Sequence, residues 1–146
     1  MKCVTYKKGF KYQLAKNFEL ETGIQISSEE GLSIDGYIVM TADGKLIISK
    51  GYVWDGPSGP TIDTLNFMRG SLVHDALYQL MREKLLDYKT DRKDADDLLR
   101  VMCKDDGMSS IRAWWVYKAV RWWGEKSAKP PNENNVVMAP KECRED

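Results

Sequence analysis

Apolar and polar positions alternate early in this chain and recur at helical spacing later, so the first half predicts strands and the second half helices. In "FKYQLAKNFELETGI", Tyr12, Leu14, Phe18 and Leu20 fall at even spacing, which predicts one or two half-buried strands. In "YIVMTADGKLIIS", two β-rich runs flank Asp43-Gly44, a dipeptide suited to a turn with positive φ, so a hairpin is expected. The run "KGYVWDGPSGPTID" concentrates glycine and proline, breaks any regular element and predicts a shaped loop.

The first helix is expected from Asn66 or Phe67 to about Leu86. At about 100° per residue, Val73, Leu77, Leu80, Met81 and Leu85 make one apolar arc. His74 lies inside that arc, and Asp75 falls on its flank beside Tyr78 and Arg82. A second helix begins near Thr90 or Asp91, with acids in its first turn, and stops at Gly107. Its buried stripe is Ala95, Leu98, Leu99 and Met102, with Asp96 at the edge and Asp97 pointing away. A third helix opens at Ser109 or Ser110 and runs through "IRAWWVYKAVRWWG" to Gly124, carrying four of the five tryptophans. The expected fold class is therefore α+β: an N-terminal antiparallel sheet with a hairpin, a Gly/Pro loop, then three helices. Residues 1–124 are expected to form one domain, with β structure over 1–60 and helices over 66–124. The polar, Pro/Asn-rich residues 125–146 are expected to form a flexible tail.

Composition narrows the function classes. Lys+Arg and Asp+Glu are equal at 22 each, so no global field argues for nucleic acid or an acidic membrane, although a local basic patch stays open. Three cysteines, Cys3, Cys103 and Cys143, lie far apart with no C-x-x-C pair, which fits reduced thiols in a cytoplasm. No apolar run is long enough to span a membrane, and "MKCVTYKKGFKYQ" lacks the apolar core of a secretory signal. With a single histidine, any histidine-based catalysis must use His74.

Antiparallel packing of the first two helices lets His74 and Asp96 face each other. A ring nitrogen bonded to a carboxylate is held in one tautomer, leaving the other nitrogen to take a proton from water. If the Gly-rich loop folds over Asp75, loop carbonyls with that carboxylate give the hard oxygen ligands that calcium takes. Asp55, Gly56 and Gly59 are the loop's candidate ligands, and Ser58 and Trp54 its candidate substrate contacts.

These residues carry two resemblances. From about Tyr37 to Gly124, Asp55, Ser58 and Pro60, then His74, Asp75, Leu77 and Tyr78, then Ala95 and Asp96 resemble an uncharacterised domain family of tailed bacteriophages and prophages. That resemblance implies a phage protein of the host cytoplasm or virion. More distantly, His74-Asp75-Ala76-Leu77-Tyr78 followed by Ala95-Asp96 resembles the H-D-x-x-Y helix and later aspartate of secreted and parvoviral phospholipases A2. The second resemblance implies a calcium-dependent hydrolase of an ester, phospholipid-like substrate. His74 would activate water, Asp75 would bind calcium, and Tyr78 and Asp96 would position the histidine.

Each feature also has a plainer reading. His74 can be a satisfied core residue, Tyr78 can cap the core edge with its hydroxyl in water, and Asp75 and Arg82 can be surface charges paired to other neighbours. Asp55 and Ser58 can form a turn that fixes the crossover into the first helix. The tryptophan helix, apolar on nearly every side, reads first as buried in the core or in self-association. Arg112, Lys118 and Arg121 leave an interfacial membrane helix or stacked bases as further readings. Two functions are carried forward: the metal-assisted hydrolase, and a non-catalytic virion component or host-protein inhibitor acting through the aromatic helix. A nucleic-acid partner ranks third, and the oligomeric state is left open.

Overall fold

A computed structural model describes residues 6–7, 12–54 and 65–130. Its strands are β1 (Tyr6–Lys7), β2 (Tyr12–Leu14), β3 (Phe18–Glu21), β4 (Leu32–Ile34), β5 (Ile38–Met40), β6 (Lys45–Ile48) and β7 (Val53–Trp54). Helices follow as α1 (Leu65–Arg82), α2 (Arg92–Asp105), α3 (Ser110–Trp123) and α4 (Glu125–Ala128). The protein is α+β, as the change of hydrophobic period predicts.

The β half forms two antiparallel sheets, ordered β1-β2-β7 and β3-β6-β5-β4, where one was expected. They are linked by two bent strand pairs: β3 pairs with β6, and their continuations β2 and β7 pair with each other. At the bend, Leu14 N–H donates to Tyr52 O at 2.7 Å and Gly51 N–H donates to Leu14 O at 2.7 Å. Gly51 takes a φ of 97°, a conformation open to glycine and strained for other residues. The expected hairpin is β5–β6, turning through Asp43-Gly44 with Gly44 at φ 88°.

Inward-facing Leu14, Phe18, Ile38, Met40, Leu46 and Ile48 pack with Leu72, Val73, Ala76, Leu77 and Leu80 of α1 in one core. A smaller core joins Phe67 of α1 to Leu99, Cys103, Ala113 and Val116 of α2 and α3. Because α1 serves both cores, it has a second inward stripe facing α2 besides the arc turned to the sheets. Gly70 lies on that stripe, where an added Cβ would stand 3.0 Å from Leu99 Cδ1 and 3.2 Å from Cys103 Sγ. His74 and Tyr78 continue the stripe and reach α2.

Three expectations change in the helical half. First, α1 ends at Arg82, short of Leu86: Lys84 adopts φ 62°, and Lys84 N–H and Leu85 N–H close back onto Met81 O and Leu80 O at 3.0 and 2.9 Å. Leu85 therefore leaves the arc and is 38% exposed, while Leu86 is buried. Second, Glu125–Ala128, expected to open the tail, form α4 with Ala128 buried. Third, α3 buries only small residues, Ala113 and Val116, and exposes its tryptophans. The Gly/Pro loop beyond Trp54 and the tail beyond Pro130 lie outside the described residues.

Candidate functional site

His74 and Asp96 meet where α1 crosses α2. His74 Nε2 lies 2.7 Å from Asp96 Oδ1, and Tyr78 OH donates to the same oxygen at 2.6 Å. Tyr78 lies four positions after His74, about one helical turn, so both side chains reach one acceptor. Their rings lie 4.0 Å apart between centroids. The other carboxylate oxygen faces α3: Arg121 Nη1 donates to Asp96 Oδ2 at 2.9 Å, and Arg92 Nη1 stands 3.6 Å away, one turn earlier on α2. Arg92 also donates to Val120 O at 3.1 Å and Arg121 O at 3.3 Å, satisfying carbonyls at the end of α3.

Asp96 is 0% exposed, so its charge depends on these neighbours. Burial pushes its carboxyl upward, but the hydrogen bonds from His74 and Tyr78, the charge of His74 and the bond from Arg121 outweigh it, and the net shift is downward. Burial and the adjoining Asp96 carboxylate push the Tyr78 hydroxyl upward, so it stays protonated as a donor. The ionised Asp96 accepts only, so His74 Nε2 carries a hydrogen, and in the neutral ring Nδ1 holds the lone pair. Nδ1 has no hydrogen-bond partner among the described residues, and His74 keeps 7% exposure. The arrangement can hold a neutral imidazole in one tautomer.

Asp75 is half-buried and projects about 100° around α1 from His74, so it is not among the groups on Asp96. Asp55, Gly56, Ser58 and Gly59 lie outside the described residues. Trp54 is buried, and its indole N–H donates to Ser71 Oγ at 3.1 Å, one turn before Asp75. Ser71 in turn donates to Met68 O at 2.8 Å. The first residue of the loop is thus fixed beside α1. Among the described residues, no group of three or more His, Cys, Asp or Glu side chains converges on a metal-sized site. Two clefts of about 750 and 230 Å³, lined by residues such as Tyr88 and Gln79, do not include His74 or Asp96.

Tyr78 does not put its hydroxyl in water, because Asp96 takes it into the interior. Arg92 and Arg121 are part of the cluster that sequence reasoning missed. An arginine one turn before an inward aspartate signals Arg92; nothing local signals Arg121, which arrives through the crossing of α3.

These elements define an α+β domain with a buried carboxylate that ties a helix-borne histidine and tyrosine to two arginines. Residues 32–120 match the family described as "Protein of unknown function (DUF1353)", and the chain belongs to that family. The match includes His74, Asp75, Tyr78, Arg92 and Asp96 and stops one residue before Arg121. No curated protein and no solved structure matches the chain.

Proposed function

We propose that the protein is a phage-encoded hydrolase of ester bonds, with phospholipids as its substrate class, acting in the host cytoplasm or virion. One observation carries the reading: His74 Nε2 lies 2.7 Å from a buried carboxylate that Tyr78 and Arg121 also bond, which in the neutral ring directs the lone pair to Nδ1. Nδ1 takes a proton from water as the water oxygen attacks the ester carbonyl. The imidazolium is stabilised by Asp96, and its proton passes to the leaving alkoxide as the carbon–oxygen bond breaks. Tyr78 and Arg121 are positioning residues that hold the carboxylate in place.

Calcium is the proposed cofactor, held by Asp75, Asp55 and the carbonyls of Gly56 and Gly59, with Ser58 contacting the substrate and Trp54 fixing the base of the loop. Asp75 fits this role as a half-buried carboxylate one turn beyond the Trp54–Ser71 bond. When bound, the ion would stabilise negative charge on the ester oxygen. The test combines calcium titration by calorimetry with hydrolysis of soluble short-chain esters. His74→Ala is expected to lower hydrolysis by on the order of a hundredfold or more while the protein stays folded. Absence of calcium binding, together with hydrolysis that His74→Ala leaves unchanged, overturns the proposal.

The five-residue Asp96 cluster also favours a second reading, in which it is a structural tie among three helices. The protein would then be a non-catalytic virion component or an inhibitor of a host protein. Under that reading His74→Ala lowers the melting temperature and removes no activity.

A further inference from the structure

The large hydrophobic residues of α3 point outward. Ala113 and Val116, with Val120, pack inward, while Ile111 is 74%, Trp115 56%, Trp122 61% and Trp123 73% exposed. Ile111, Trp115 and Trp122 fall within about 40° of one another around the helix, opposite the packed side. Small residues face the core and large aromatic ones face solvent, the reverse of a surface helix on a globular domain.

The charges on α3 narrow what can cover this face. Its charged residues are Arg112, Lys118 and Arg121, with no acid between Ser110 and Trp123. Lys118 flanks the aromatic row, with Nζ 5.6 Å from the Trp114 ring centroid. Arg121 is committed to Asp96, so Lys118 is the cation beside the row, and a second copy docked face to face would supply a lysine and no acid of α3 to pair with it. An anionic lipid surface instead supplies opposite charge together with the boundary between polar and apolar layers where tryptophan rings settle.

We infer that α3 is a membrane-adsorbing helix that lays Ile111, Trp115 and Trp122 into the headgroup region of an anionic bilayer, with Lys118 meeting lipid phosphates. Arg121 connects this surface to the proposed hydrolytic site, since its guanidinium bonds Asp96, which in turn bonds His74. The inference rests on the hydrolase reading for what the adsorption serves, not for whether adsorption occurs.

The experiment uses the full chain with vesicles of ether-linked lipids, which offer no acyl ester to cleave. Phosphatidylglycerol vesicles are compared with phosphatidylcholine vesicles, by co-sedimentation and by quenching of tryptophan fluorescence with brominated chains. Binding to the anionic vesicles with quenching is expected. Trp115→Ala with Trp122→Ala should weaken it by roughly a hundredfold, and Lys118→Glu by roughly tenfold, with unchanged thermal melts. Absence of binding to either vesicle overturns the inference, as does equal binding to both that Lys118→Glu leaves unaltered. A concentration-dependent dimer, or a stable host-protein complex, that the tryptophan substitutions abolish without any vesicle binding would assign the face to that partner instead. Hydrolysis of a soluble short-chain ester reads the His74 site separately, so either proposal can fail without the other.

Discussion

Asp96 accepts hydrogen bonds from His74 and Tyr78 on one oxygen and from Arg121 on the other, with no water-facing surface of its own. Removing it would strand the buried His74 and Tyr78 donors and unpair Arg121. Asp96→Ala should therefore cost about 3–5 kcal/mol in denaturant unfolding, the range for breaking a buried charge pair. Tyr78→Phe deletes one donor and leaves the carboxylate three neighbours, so about 1 kcal/mol is expected from the same measurement. A cost for Asp96→Ala no larger than that of Tyr78→Phe would show that the cluster adds little to stability. The pairing of His74 with Asp96 was legible because both lie at the inner edge of their helices and the connection is short. Arg121 was not, because its partner lies 25 residues away across a helix crossing that no local pattern encodes. Gly124 makes the same point: a terminal glycine there suggests a helix stop, yet its φ is −75°. What it supplies is room, since a Cβ at that position would lie 2.6 Å from the Tyr78 hydroxyl.

The helix ends show why element existence is easier to read than element length. At the end of α2, Gly107 at φ 97° donates to Lys104 O at 3.0 Å and Met108 N–H donates to Cys103 O at 2.9 Å. Glycine announces that closure in the sequence. The end of α1 uses the same pair of bonds with Lys84 in the left-handed conformation, and neither glycine nor proline marks it. Lys84→Gly should relieve that strain and stabilise the protein by about 1 kcal/mol, measured as a higher urea midpoint. An unchanged or lower midpoint would mean that contacts of the lysine side chain offset the strain. The hairpin at Asp43-Gly44 and the cap of α3, where Ser109 Oγ accepts from Arg112 N–H at 3.3 Å, were legible for the same reason as Gly107. The core reading of α3 holds for Ala113 and Val116 and fails for its tryptophans, because composition says that a helix is apolar, not which side packs inward.

Across the whole molecule, α1 joins the two halves: the sheets share a core with one of its stripes, α2 packs on another, α4 touches it, and α3 packs on α2. Alternation along the strands showed that a sheet exists, but not that two strand pairs bend together into two sheets, since that depends on distant backbone pairing at Leu14 and Gly51. Because the folded-state pKa of Asp96 is below its ordinary value of 3.8, its stabilisation is fully present above that value and is lost as pH falls through the folded-state pKa. Asp96→Asn should therefore destabilise the protein near neutral pH and flatten part of its loss of stability on acidification. Parallel denaturant titrations at about pH 7 and about pH 3 check this, and equal acid sensitivity in both proteins would count against it.

The bond from Trp54 to Ser71 has a consequence for how this chain can change. It fastens residue 54 to the very helix that begins at Leu65, so the ten intervening positions leave from and return to one rigid support. Doubling the length of a segment anchored in this way costs only about 0.6 kcal/mol of closure entropy. Insertions between Trp54 and Leu65 are therefore expected to leave the scaffold beneath in register.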